Sequence, residues 1–185
     1  IRRDRAVFRL ASDKLAAAER EYRDQRGEQI IRSATRKAVV GALAAVSPGT
    51  DIVIQGYVGT SITRALCKLY GAAPRDLDIE EFLSLSQSRV GKALPLTLAV
   101  AGNGLKAFPG IGTVAGGLVH AVAYGLIFDA LGRSLVLNLK KHGGFDPQQA
   151  AREFEEGIGE HIEAGVRQVA RMALDQETSR DEPDG

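Results

Sequence analysis

The sequence predicts an all-α fold: a helical bundle of two αα-hairpins with Pro-Gly turns, flanked by amphipathic N- and C-terminal helices. Three observations predict it. Apolar residues recur at spacings of three and four along most of the chain. Pro-Gly pairs at residues 48–49 and 109–110 separate the predicted helices. The 21 glycines and an aromatic content of 5% predict a core of small aliphatic side chains, in which backbones approach closely.

The first two helices are predicted from their apolar faces. An apolar stripe begins the chain and consists of Val7, Ala11, Leu15, Ala18 and Tyr22. Gly27 is expected to break this helix, after which a second apolar run ends at the turn Ser47-Pro48-Gly49. Thr50 or Asp51 then caps a helix whose left-handed terminating residue is Gly71.

Three further helix starts follow. Residues 78–81, Asp-Ile-Glu-Glu, have the spacing of a capping box. That helix is kinked or restarted at Pro95 and interrupted at 102–104, before the turn at Pro109-Gly110. A glycine-rich helix then runs to about Lys141, carrying Asp129 and Arg133 one turn apart. The segment 146–149, Asp-Pro-Gln-Gln, begins the last helix.

Charge divides the chain into segments. Residues 1–37 carry eleven Lys/Arg and six Asp/Glu, a net of +5, whereas residues 142–185 carry four Arg and eleven Asp/Glu, a net of −7. The two ends either pack together or are solvated independently. We interpret residues 1–32 as a basic helix linking to an upstream module, 33–141 as the helical core, 142–175 as an acidic amphipathic helix and 176–185 as a disordered tail.

Composition excludes several classes of protein. Cys67 is the single cysteine, which excludes an intramolecular disulfide framework and a zinc site made of several thiolates. The net charge of +1 excludes a chain whose total charge alone would bind nucleic acid. We expect no nucleic-acid partner and no cofactor. A chain that begins at Ile1 is expected to be part of a longer protein.

No catalytic motif is present in the sequence. It lacks a P-loop, His-Glu-x-x-His and Gly-x-Ser-x-Gly, and its three histidines do not cluster. Residues 110–115 match a dinucleotide fingerprint, with Asp129 nineteen residues after Gly110, but no strand leads into it. An enzyme would need a site assembled from scattered residues, such as Tyr57, His120, Tyr124 and Asp129.

The uncharged run 111–128 is long enough to cross a membrane, and Gly112 and Gly116 have the spacing that brings helices together in bilayers. A membrane-inserting hairpin centred on residues 93–131 is therefore one interpretation. The dilution of this run by glycine and threonine, and His120 within it, favour a bundle with at most peripheral membrane contact.

Two runs resemble a known family. They are Ser47-Pro48-Gly49-Thr50-Asp51-Ile52-Val53-Ile54-Gln55 followed by Leu66-Cys67-Lys68-Leu69-Tyr70-Gly71, and Lys106-Ala107-Phe108-Pro109-Gly110-Ile111-Gly112-Thr113 with the helix after it. Residues 33–141 resemble the bacterial helical domain of unknown function that accompanies Era-like GTPases and also occurs in YcjF-type inner-membrane proteins. The GTPase half and the two clear membrane spans of the YcjF type are not visible in this sequence.

The resemblance implies a non-catalytic domain that regulates or localises a GTPase in the same parent chain or operon. It implies a cytoplasmic location, at or near the inner face of the cytoplasmic membrane, and leaves homo-oligomerisation open. It supplies no catalytic, cofactor or metal residues. Asp51 and Gln55 are either a helix cap and a hydrogen-bonded core residue or a polar contact for the partner. The candidate partner or structural motif comprises Pro48, Gly49, Asp51, Gln55, Tyr70, Gly71, Pro109, Gly110 and Gly112.

Overall fold

A computed structural model describes the backbone of residues 2–44, 50–108 and 116–181, and the side chains of residues 7–44, 56–108 and 116–178. Within these ranges the chain forms helices and contains no β-strand. The helices are α1 (Arg2–Ala44), α2 (Thr50–Leu69), α3 (Asp76–Lys106), α4 (Gly116–His142) and α5 (Pro147–Asp181). The prediction of an all-α helical bundle is confirmed.

The central helix is α4, which packs against all four others and most extensively against α5 and α1. Its glycines explain how closely α1 and α5 approach it. A Cβ atom on Gly125 would lie 2.5 Å from Cγ1 of Val169 and 2.7 Å from Cγ2 of Val39. The predicted close-packing role is therefore confirmed for Gly125. Gly116 and Gly117, by contrast, face open space.

The predicted break at Gly27 is wrong, because α1 runs without interruption from Arg2 to Ala44. Gly27 is buried, and a Cβ atom there would lie 3.5 Å from the Tyr70 hydroxyl and 3.8 Å from Val136. A Cβ atom would make ordinary van der Waals contacts there, and this glycine does not turn the chain. The expected N-terminal flanking helix and the first helix of the core are therefore one helix.

The first part of α1 projects from the bundle. All side chains of residues 7–22 are exposed except that of Ala16, which is half-buried. At 1.5 Å per residue this segment, which we call the N-terminal arm, is about 24 Å long. The apolar stripe predicted for α1 lies on this arm and packs against nothing within the bundle: Phe8 is 77% exposed, Leu15 72% and Tyr22 62%.

The end of α2 and the start of α5 lie at the residues that the local sequence predicts. Gly71 has φ of +77°, and the amides of Gly71 and Ala72 donate to the carbonyls of Lys68 and Cys67, which is a Schellman motif. At the start of α5, the Gln149 amide donates to Oδ1 of Asp146 at 2.8 Å. Both the glycine termination of α2 and the start of α5 are confirmed.

Other boundaries differ from expectation. α3 begins two residues before Asp78, and Asp78 Oδ2 accepts from the Arg75 amide at 2.9 Å, so Asp78 is the third helical residue and not the cap. Pro95 and residues 102–104 lie inside α3. α5 continues through residues 176–181, part of the segment expected to be a disordered tail, and Oγ1 of Thr178 donates to the Leu174 carbonyl there. The Pro-Gly turns lie outside the described residues.

One described helix, α4, is long and apolar enough to cross a membrane. Its most apolar window is 78% buried inside the bundle, against α1, α3 and α5. Residues 93–105, the other half of the proposed hairpin, continue a helix that begins at Asp76. Its position as the core helix therefore accounts for the apolar character of α4 without a bilayer.

Candidate functional site, a charged cleft between α1, α4 and α5

Two adjoining depressions form a cleft where α1, α4 and α5 meet, and we call it the charged cleft. Their volumes are about 610 and 650 Å³, and both are lined by Leu137, Lys140 and His161. Most other lining side chains are ionisable: Asp24, Glu28, Arg133, Lys141, Glu153, Glu156 and Glu160. Because these charges come from three helices, the cleft exists only in the folded bundle.

Arg133 is the central residue of the cleft floor. Its Nε and Nη2 donate to Asp129 at 2.8 and 3.2 Å, and its Nη1 and Nη2 donate to Glu28 at 3.1 and 3.2 Å. One guanidinium therefore binds two carboxylates and joins α4 to α1. Asp129 is only 2% exposed, so its charge is stable in the interior because Arg133 pairs with it.

The groups on the floor are held in their charged forms. Burial alone would lower the pKa of Arg133, but Asp129 and Glu28 outweigh it and raise that pKa. Burial alone would raise the pKa of Glu28, but hydrogen bonds and charge from Arg133 and Arg32 keep it below its ordinary value. Arg32 Nε lies 3.1 Å from Glu28 Oε1. The network therefore persists across neutral pH.

Two glycines of α5 make room for the polar floor. A Cβ atom on Gly165 would lie 3.0 Å from Oδ2 of Asp129, and one on Gly157 would lie 3.2 Å from Nε2 of His161. The α5 backbone thus approaches polar side chains directly. Burial and the nearby Arg133 charge lower the pKa of His161, so its imidazole is neutral at pH 7.

Tyr70 lies where the cleft borders α1, next to Gly27 and Asp24. The Schellman motif at Gly71 ends α2 so that the Tyr70 hydroxyl lies over Gly27, beside Asp24 and Lys140. Burial raises the pKa of this hydroxyl. Among the nine predicted motif residues, Tyr70 and Gly71 are the ones fully described. The side chains of Asp51 and Gln55 in α2, and all of Pro48, Gly49, Pro109, Gly110 and Gly112, lie outside the described residues.

A second cluster surrounds Glu153 on α5. Its Oε2 accepts from Nδ2 of Asn138 at 2.9 Å, and its Oε1 lies 3.2 Å from Nζ of Lys141 and 3.0 Å from Nε2 of His142. Burial raises the pKa of Glu153, but the hydrogen bonds from His142, Asn138 and Lys141 prevail and lower it to about 2. The carboxylate is therefore ionised at any physiological pH and anchors the C-terminal end of α4 to α5.

This depressed pKa predicts a pH-dependent contribution to stability. Because the unfolded carboxyl titrates near 4.5 and the folded one near 2, the contribution is complete above pH 4.5 and is lost as the pH falls to 2. We expect Glu153→Gln to reduce the free energy of unfolding by about 1 kcal/mol at pH 6 and by about a quarter of that at pH 2.5, where part of the folded carboxylate is still ionised. Urea unfolding at the two pH values measures the difference, and an equal loss at both would contradict it.

The scattered residues considered for an enzyme are not brought together. The rings of His120 and Tyr124 meet edge to face, with centroids 5.1 Å apart, and Tyr124 lines a separate, mainly apolar pocket of about 170 Å³. Asp129 instead lies on the charged cleft floor, and Tyr57 is 68% exposed. Asp129 lies within α4, paired with Arg133, and not at a strand end as a dinucleotide site requires. Residues 110–115 lie outside the described ranges.

No other reactive constellation is visible among the described side chains. Cys67 is fully buried, and burial raises its pKa to about 12, which suppresses the thiolate. Among those side chains, no group of three or more His, Cys, Asp or Glu residues is placed to hold a metal ion. The three histidines lie in different surroundings, as the sequence indicated.

The sequence identified only part of the cleft. The Asp129–Arg133 pair was predicted from its helical spacing and is confirmed. Glu28, His161 and Glu153 were missed as site residues. One local signal existed, since Glu28 and Arg32 also lie one turn apart, but the contact from Glu28 to Arg133 spans 105 residues.

Comparisons with protein families, with curated proteins and with solved structures found no match to this chain.

Proposed function

We propose that this chain is a non-catalytic helical interaction domain that works with an Era-like GTPase encoded in the same parent protein or operon. The charged cleft is the proposed contact surface. The resemblance of residues 33–141 to GTPase-associated helical domains supports the choice of partner. The geometry of the cleft supports binding as the type of activity.

The observation that carries this proposal is that the internal charges of the cleft are already paired within the chain. Arg133 satisfies Asp129 and Glu28, and Glu153 has three partners. A general acid or base works best with a pKa near the working pH, and that of Glu153 is about 2. Exposed rim residues, including Glu156 and Glu160, then remain available to a protein partner.

Binding of the full chain to that GTPase, loaded with GDP or with a non-hydrolysable GTP analogue, tests the proposal. We expect binding in at least one nucleotide state and a loss of about tenfold with Glu160→Lys, which reverses a rim charge. Glu80→Lys makes the same charge change on exposed α3, away from the cleft, and should bind like the wild type. No binding in either state, with no effect on hydrolysis, would refute the proposal.

Peripheral attachment to the inner face of the cytoplasmic membrane accompanies this proposal. It is supported by the excess of Lys/Arg in residues 1–37, which anionic lipids attract. Flotation with anionic vesicles should show binding that 0.5 M salt reverses, since such contacts are screened. Retention in the membrane after alkaline extraction would instead support the inserted hairpin at residues 93–131.

A further inference from the structure

The N-terminal arm presents an apolar face that the bundle leaves uncovered. Its large members, Phe8, Leu15 and Tyr22, are spaced by seven residues, and Ala11 and Ala18 lie between them at the intervening positions of the heptad. All five side chains are exposed. Two consecutive heptads with apolar first and fourth positions form the seam of a coiled coil.

This seam lies on the side of α1 opposite the bundle. Tyr22 and the buried Ile31 are nine residues apart, which is two and a half turns, so they point in opposite directions. Among the described residues, no other helix covers the seam. A second helix can approach it without meeting the bundle face.

We propose that the seam pairs with the same seam of a second copy of this chain, as a parallel coiled coil. The charges beside the seam specify this occupant. In a parallel pair, Lys14 faces Glu19 of the second copy, and Glu21 faces Arg26. Both contacts are attractive and each occurs twice by symmetry. All four side chains are exposed, and three of them also make exposed hydrogen bonds within α1.

An antiparallel pair brings g positions opposite g and e positions opposite e, so neither attractive contact of the parallel pair forms in it. With Leu15 facing Ala11 it places Lys14 opposite Lys14 of the second copy, and with Leu15 facing Ala18 it places Lys14 opposite Glu21. The seam positions themselves are the same in both arrangements. Orientation therefore depends on charge, which makes it testable by charge reversal.

Sedimentation velocity of the full chain over a range of concentrations tests the pairing. We expect a monomer–dimer equilibrium and at least about tenfold weaker association with Leu15→Asp. Lys14→Glu should weaken association about tenfold, and adding Glu19→Lys should restore it, because the parallel contacts become attractive again. Leu77→Asp, at an exposed leucine outside the arm, should leave association unchanged.

Orientation is measured with Ala18→Cys. The side chains at this seam position are adjacent in a parallel dimer, so oxidation should give a disulfide-linked dimer. The buried native Cys67 does not compete. A protein that remains monomeric at every concentration overturns the proposal, as does a dimer unaffected by Leu15→Asp. Monomers that float with anionic vesicles and lose that binding with Leu15→Asp would assign the seam to lipid instead.

Discussion

Arg133→Met is expected to reduce the free energy of unfolding by about 3 kcal/mol. The substitution removes the partner of Asp129, which is 2% exposed, and leaves its charge in the interior. The expected loss is near the lower end of the range for broken buried ion pairs. The Arg133 side chain is 30% exposed, so after the substitution water can enter and solvate part of the Asp129 charge. Glu28 keeps Arg32 as a partner, so its loss of Arg133 adds less to the expected destabilisation.

Urea unfolding measures this loss, with the slope of the transition checked against the wild type. The matched control is Arg133→Met combined with Asp129→Leu, which replaces the whole buried pair by apolar side chains. The double variant should recover most of the lost stability, because no unpaired charge remains. If the double variant is as unstable as Arg133→Met alone, the buried charge of Asp129 is not the cause.

Gly125→Leu is expected to cost about 3 kcal/mol, because α1 and α5 leave no volume for a side chain there. Even the Cβ atom would lie within 2.7 Å of both Val169 and Val39. Gly125→Ala should cost about 1 kcal/mol, since its better helix propensity offsets part of the strain. It serves as the measurable variant if Gly125→Leu does not fold.

Gly159→Ala is the matched control for Gly125→Ala. Gly159 also lies inside a long helix, α5, but a Cβ atom there would meet nothing within 4 Å. We expect it to raise the free energy of unfolding by about 0.5–1 kcal/mol, through helix propensity alone. A loss at Gly159 equal to that at Gly125 would contradict the close-packing explanation.

Features determined by neighbours in the sequence were predictable. Gly71 ends α2, Asp146 caps α5, and Asp129 pairs with Arg133, because each involves residues within about one helical turn. The apolar spacing also identified the fold class. These signals operate through backbone hydrogen bonds and side-chain positions on a single helix, so they do not depend on how the helices are arranged.

Features determined by tertiary packing were not predictable. Gly27 has the appearance of a helix break, but it lies in the middle of α1 in a buried position beside Tyr70. The sequence identified the apolar stripe of Leu15 and its neighbours but not that the bundle leaves it uncovered, since periodicity does not show whether a face is covered. The charged cleft depends on Glu28 reaching Arg133 across the bundle, which no local pattern specifies.

The continuity of α1 gives the protein a fixed angular relation between its two ends. Because each helical residue turns the chain by about 100°, the direction of the Leu15 seam relative to the bundle is set by the number of residues between them. One residue inserted between Tyr22 and Gly27 would rotate the seam by about 100°, whereas seven would return it to within about 20°. The residue count of this helix thus determines the direction from which anything bound to the seam approaches the charged cleft.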